Sequence, residues 1–177
     1  KLDGTPLVGA QNRYTIASGY ATAIYQGDLV EPLTSGNIQK HGANTSDAVV
    51  GVFNGCFYTD PTTQKPTFKN FYPGGIAASD ITAFVIDDPD AVFLIDADEA
   101  FTRADLYRNY SVTNTTGVTA TGISKAQLDV SVSGTATTFA IQAIDICQDP
   151  DNSDTANANA NVLVRINNHF YRSGTGL

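Results

Sequence analysis

The stretch VVGVFNGCFY, Val49 to Tyr58, decides how the rest of the chain is read. Apolar and β-branched residues flank Asn54-Gly55, and Asn-Gly is the strongest short-range signal for a two-residue hairpin. Glycine inside a strand also marks a bulge or a close backbone approach, so the same residues describe one continuous, bulged strand. The stretch carries Cys56, one of two cysteines. In the first reading a thiol sits near a hairpin tip; in the second it is a small hydrophobe inside a sheet.

Outward from this stretch, the hydrophobic signal comes in short runs separated by Gly, Asn, Asp, Ser and Pro. Strands are expected at Tyr14–Ala17, Leu29–Leu33, Asn37–His41, Ala48–Phe53 with Cys56–Thr59, Ile81–Ile86 and Val92–Ile95. Further ones are expected at Ala126–Val132, Thr138–Ile146 and Val162–Asn167. In VLVRIN, Val162, Val164 and Ile166 share one face while Arg165 and Asn167 point the other way. Short alternating runs with turn chemistry between them describe an all-β chain, a single β-barrel or β-sandwich. The exception is Asp96–Tyr110, where one or two helical turns are expected, capped by Asp98, with Ala100, Phe101, Ala104 and Leu106 as the apolar side.

Composition agrees. The 177 residues suffice for one domain. Of 18 acidic residues only Glu31 and Glu99 are Glu, and Asp favours turns and caps where Glu favours helix interiors. The formal charge of −8 argues against nucleic acid or an anionic membrane as partner. No run of 18 apolar residues occurs, and no charged segment followed by an apolar one opens the sequence, so neither a spanning helix nor a secretion signal is expected. Two cysteines in apolar runs make no disulfide framework and read as buried hydrophobes.

Signals for chemistry are sparse. The two histidines, His41 and His169, lie in no recognisable motif, and there is no nucleophile elbow, zinc-protease signature, phosphate loop or Cys-x-x-Cys. No enzyme activity, metal or cofactor is expected. An enzyme reading would require His41, His169 and an Asp to converge. The Asp-x-Asp pairs at Asp88/Asp90, Asp96/Asp98 and Asp149/Asp151 supply oxygens of the kind Ca²⁺ takes, but two are Asp-Pro-Asp, a turn sequence. Phe71 and Tyr72, before Pro73-Gly74, either pack inward over a turn or stack on a sugar ring. The polar segment Asp151–Asn161 reads as an exposed loop.

The order of features YTIASGYATAIYQGDLVEPLTSGNI, VVGVFNGCFYTD, FYPGG, ITAFVIDDPDAVFLIDAD and VLVRINNHFY resembles small structural proteins of tailed bacteriophages, especially short-tailed marine ones. It looks like a capsid decoration (cement) protein, over about residues 14–171. The resemblance implies a non-enzymatic virion protein that binds and stabilises the outer capsid surface, assembled in the host cytoplasm. Its implied partners are the major capsid protein and its own copies, as a homotrimer. It favours the bulged-strand reading of Val49–Tyr58. It also implies an extended N-terminal arm, residues 1–17, on a domain spanning 18–177. The arm's expected capsid-binding side chains are Leu2, Pro6, Leu7, Val8, Tyr14 and Ile16, docking by strand addition. The alternative is a phage head-fibre or carbohydrate-binding adhesin module.

A fully buried aliphatic side chain contributes about 1.5–3 kcal/mol, whereas ordering backbone costs about 1–2 kcal/mol per residue. The arm's side chains alone therefore cannot hold it. Strand hydrogen bonds and linked copies must supply the remainder, which is the energetic reason to expect an oligomer on the shell.

Overall fold

The computed structural model describes residues 11–43, 46–152, 154–172 and 176. The chain is all-β, with two antiparallel sheets packed as a sandwich-like fold, and neither sheet closes into a barrel. The first sheet is built from β1 (Gln11–Thr15), β2 (Leu29–Pro32), β3 (Ile38–Lys40), β4 (Gly51–Thr59), β5 (Pro66–Lys69) and β6 (Thr82–Ile86) in the order β1-β6-β4-β2-β3. β5 also pairs with β4, beyond the end of β2, so the long β4 serves two partners along one edge. The second sheet is built from β7 (Val92–Asp96), β8 (Asn109–Val112), β9 (Leu128–Gly134), β10 (Ile141–Ile146) and β11 (Asn161–Ile166) in the order β7-β11-β10-β8-β9.

The deciding stretch is one strand. β4 runs unbroken through Asn54-Gly55, and against β6 its pairing shifts from Phe53↔Val85 to Cys56↔Ala83, so one extra residue is bulged out. Gly55 takes φ +127°, a conformation that favours glycine, and a Cβ there would lie a tight 3.0 Å from the Lys69 carbonyl. The bulge has a directional consequence. Strict alternation from buried Phe53 would turn Phe57 inward and Cys56 and Tyr58 outward. The extra residue reverses this: Cys56 and Tyr58 are buried and Phe57 faces out.

Each sheet carries its own core. Ile24, Phe53, Tyr58, Tyr72, Ile81 and Val85 centre the first; Phe101, Tyr110, Leu128, Val162, Val164 and Ile166 centre the second. The halves of the chain interlock by trading side chains. Val49, just before β4, packs in the second core, and Phe170, after β11, packs against the first. The Val49 N–H donates to the Asn168 carbonyl at 2.8 Å and the Phe170 N–H returns to the Val49 carbonyl at 2.8 Å.

Two strands escape the pattern of the sequence. β5 is four residues beginning with Pro, and β8 holds Asn109 and Ser111 in fully buried positions. The helical expectation reduces to one 3-10 turn, Arg103–Asp105, capped by Thr102 rather than Asp98. Asp98 instead accepts the Val130 N–H at 2.9 Å. Phe101 and Leu106 are buried as expected, while Ala100 and Ala104 are exposed. In the polar segment after β10, Asn152 is buried and donates to the carbonyls of Cys147 and Asn161, pinning the start of that loop.

Candidate interaction surfaces

The outer face of the first sheet follows from the bulge. Phe57 faces out opposite Phe68 of β5, with ring centroids 4.7 Å apart. On β6, Ala83 and Val85 face the core, so Phe84 faces out, 6.4 Å from Phe68 and nearly parallel to it. The three rings form a continuous aromatic row across three strands. Phe68 is 72% exposed, an unusual cost in water for a large apolar side chain. Arg13 is the direct cross-strand partner of Phe84 and leaves on the same face. Pro66 and the flanking Lys65 and Lys69 mark β5 as an edge strand. These signals are present in the sequence, but the outward turn of Phe57 needs the bulge to be placed first.

A second surface lies between the sheets. An apolar pocket of about 330 Å³ opens there, floored by Ile141, Val164 and Ile166 and walled by Leu29 and Val52 of the first sheet and by β7. Ile123, on the loop before β9, stands at its side and is 52% exposed. Nothing in the sequence pattern announces the pocket, because its walls come from opposite halves of the chain.

Among the described residues, the three buried carboxylates Asp28, Glu31 and Asp87 each anchor a polar network. Asp28, 1% exposed, accepts from the Tyr25 N–H at 2.8 Å and from Ser124 Oγ at 2.5 Å, and pairs with Lys40 Nζ at 3.0 Å. Glu31 accepts from Gln39 Nε2 at 2.6 Å and pairs with His41 Nδ1 at 2.6 Å. Burial alone would raise the Glu31 carboxyl; the His41 and Gln39 contacts outweigh it and hold the group below its ordinary value. Asp87 accepts from Asn12 Nδ2 and from Tyr14 OH at 2.6 Å, and Tyr14 OH is 2.7 Å from Tyr171 OH. Burial, then Asp87, pushes the Tyr14 phenol far above its usual range.

His169 sits beside this third network. Its Nδ1 accepts the Tyr171 N–H at 3.2 Å, which places the ring proton on Nε2. Nε2 is buried and makes no well-aligned hydrogen bond. Burial pushes the ring below its ordinary value, with Asp87 opposing. The two histidines thus belong to different networks, one with Glu31 and one beside Asp87. Each network ties loops to sheets.

Of the expected capsid-binding residues, Leu2, Pro6, Leu7 and Val8 lie outside the described residues. Tyr14 and Ile16 are placed. Tyr14 lies in β1, an edge strand of the first sheet, and its hydroxyl is held by Asp87; Ile16 is buried in the first core. Both are engaged within the chain itself. Phe71 and Tyr72 pack inward: Tyr72 is fully buried and stacked on Tyr20, and Phe71 stacks on Tyr25 with Lys69 Nζ 5.5 Å from its ring centre. Cys56 and Cys147 are both free thiols; Cys56 is buried and Cys147 half-buried. In the Asp-Pro-Asp turns, Asp88 accepts from the Asp90 N–H and Asp149 from the Asp151 N–H, each capping its own turn. Among the described residues no group of three or more His, Cys, Asp or Glu is placed to hold a metal ion.

Compared with protein-family models, with curated proteins and with solved structures, the chain matches none.

Proposed function

We propose that this chain is a non-enzymatic virion structural protein that binds the outer surface of a phage capsid and stabilises it, with the major capsid protein and its own copies as partners. The observation that carries the reading is the aromatic row Phe57–Phe68–Phe84, presented on an open sheet face. It adds to the resemblance noted in the sequence. A face of three phenylalanines gains by excluding water against another apolar surface, whereas a sugar site also needs convergent hydroxyl and amide partners to pair with ring hydroxyls. Protein docking therefore fits the row better than the adhesin alternative, and Phe71 and Tyr72 no longer offer an exposed sugar platform.

The size of the effect follows from exposure. A phenylalanine presents about 200 Å² of surface, and Phe68 leaves 72% of its own in water, or about 140 Å². At ~25 cal/mol per Å², covering it contributes about 3.5 kcal/mol at most. Phe68→Asp is expected to lower affinity for expanded, undecorated shells at least about 100-fold, which is about 2.7 kcal/mol. The variant should fold normally, because the ring makes few buried contacts. Co-sedimentation reads the result. Shell binding unchanged in a folded Phe68→Asp chain removes the row from the docking surface; glycan binding lost by the same variant, with shell binding intact, would favour the adhesin.

A further inference from the structure

The space between the sheets is more than packing leaves behind. Protein interiors hold few voids larger than a water molecule, yet the pocket offers about 330 Å³. Its floor is dry in character: Ile141, Val164 and Ile166 are 1–3% exposed. The walls Leu29, Val52, Phe93 and Ile95 are apolar and pack against the same core. An apolar cavity of roughly 150 Å³ holds benzene, so this one has room for a molecule of about twice that size.

The mouth states what chemistry the space accepts. Its polar side chains are Gln26 and Ser124, and both are engaged within the chain. Gln26 Nε2 donates to Asn54 Oδ1 at 2.9 Å and its Oε1 accepts from Asn70 Nδ2 at 3.5 Å. Ser124 Oγ donates to Asp28 at 2.5 Å and accepts the Ala126 N–H at 3.0 Å. No Lys, Arg or His is among the described lining residues, whose one ionisable member is Asp96. Asp96 alternates with Val92 and Leu94 on the exposed face of β7, opposite Phe93 and Ile95. An anion would meet no cation here and one carboxylate nearby. The mouth is also fixed in place: the Ser124 N–H donates to the Gln26 carbonyl at 2.9 Å and the Gln26 N–H to the Gly122 carbonyl at 3.0 Å. Between these bonds Ile123 is held at the rim, half in water, as binding sites formed before their ligand arrives hold their walls.

We infer that this pocket is a binding site for an uncharged, hydrocarbon-like small molecule of about ten to twelve carbon atoms, twice the content of the benzene-sized cavity. The apolar body lies on Val164 and Ile141, and a single polar group stays at the mouth beside Ile123. Volume sets the size, the committed amides and hydroxyl exclude a ligand rich in hydrogen-bonding groups, and the absence of a cation among the described lining residues excludes an anion. The inference does not rest on the capsid reading. The two surfaces are neighbours all the same: Phe84 and Ile86 share one face of β6, and Ile86 pairs with Val52 of the pocket wall.

The test titrates the full chain with decanol, up to its solubility limit, and separately with decanoate, read by methyl NMR. Decanol is expected to give saturable shifts at the methyls of Ile141, Val164 and Ile166, with those of Val30 and Val85 in the first core unmoved. Decanoate is expected to bind at least about tenfold more weakly, because its carboxylate finds no partner. Val164→Phe fills the space from the floor and should abolish decanol binding in a folded chain; Val52→Phe fills it from the half-buried wall and serves the same purpose where the first variant does not fold. No saturable shift, equal binding of decanoate, or a folded filled variant that binds like the parent overturns the inference. Shifts confined to the rings of Phe57, Phe68 and Phe84 also overturn it, by assigning the alcohol to the aromatic row. So do pocket contacts between labelled and unlabelled molecules in the absence of decanol, which assign the space to a second copy. Shell binding is not a readout here, so failure leaves the capsid reading to its own test.

Discussion

Replacing Asp28 by Ala tests whether the first sheet is anchored by a buried charge. The carboxylate is 1% exposed and satisfies three donors: the Tyr25 N–H, Ser124 Oγ and Lys40 Nζ. The Lys40 side chain is itself only 8% exposed. Removing the acid strands an ammonium in a low-dielectric site, and breaking a buried pair from one side costs about 3–5 kcal/mol. The orphaned N–H and hydroxyl contribute to the same total, at about 1–3 kcal/mol for each unsatisfied group. We expect a net loss of about 4–5 kcal/mol, a large share of the roughly 5–15 kcal/mol by which domains are stable. Lys40→Met should cost less, because Asp28 keeps two donors. The double variant should be more stable than Asp28→Ala alone, since the stranded ammonium is gone, giving a coupling of at least about 1 kcal/mol. Urea denaturation of the four proteins reads these values. An Asp28→Ala cost below about 1 kcal/mol, or no coupling, would refute the argument.

Three further outcomes follow from the same reasoning. His169 has a folded pKa below its ordinary 6.5 because it is buried; the unfolded chain therefore takes up a proton first, and stability should fall as pH drops below about 6.5. His169→Gln should flatten that slope in denaturation curves measured between pH 7 and 5, and an unchanged slope would contradict it. Gly55→Val should destabilise by about 1–3 kcal/mol, since a β-branched residue at φ +127° is strained and its Cβ meets the Lys69 carbonyl; a melting temperature within a degree of the parent would argue against the bulge. Burial pushes the Cys56 thiol up to about 12, so in the native protein a thiol reagent should modify Cys147 first and Cys56 only on unfolding, as peptide mapping would show.

The fold class was legible because it rests on local features. Runs such as Val162–Ile166 alternate strictly and are bounded by turn residues, and their burial matches that alternation. The reading of Val49–Tyr58 as one bulged strand holds over Gly51–Thr59, with Gly55 at φ +127°, a conformation that favours glycine. The division into two sheets was not legible, since it depends on which strands meet across long separations, and Val49 and Phe170 cross between cores without any local mark. β8 was missed because Asn109 and Ser111 are polar residues in buried positions, where hydrogen bonds such as Asn109 Nδ2 to the Ala136 carbonyl at 3.0 Å replace apolar packing. For the site, the sequence left Phe71 and Tyr72 two readings, packed inward over a turn or stacked on a sugar ring, and the structure has the inward one. The aromatic row was not legible, because the outward turn of Phe57 depends on one bulged residue in β4.

The most direct test of the capsid reading is a titration of the purified chain onto expanded, undecorated shells, reading bound copies per shell after sedimentation. The account predicts a plateau at a fixed ratio of copies to major capsid protein, and shells that open at a higher temperature once the plateau is reached. Folded protein that stays in the supernatant at every concentration, or that binds without a plateau, would contradict it.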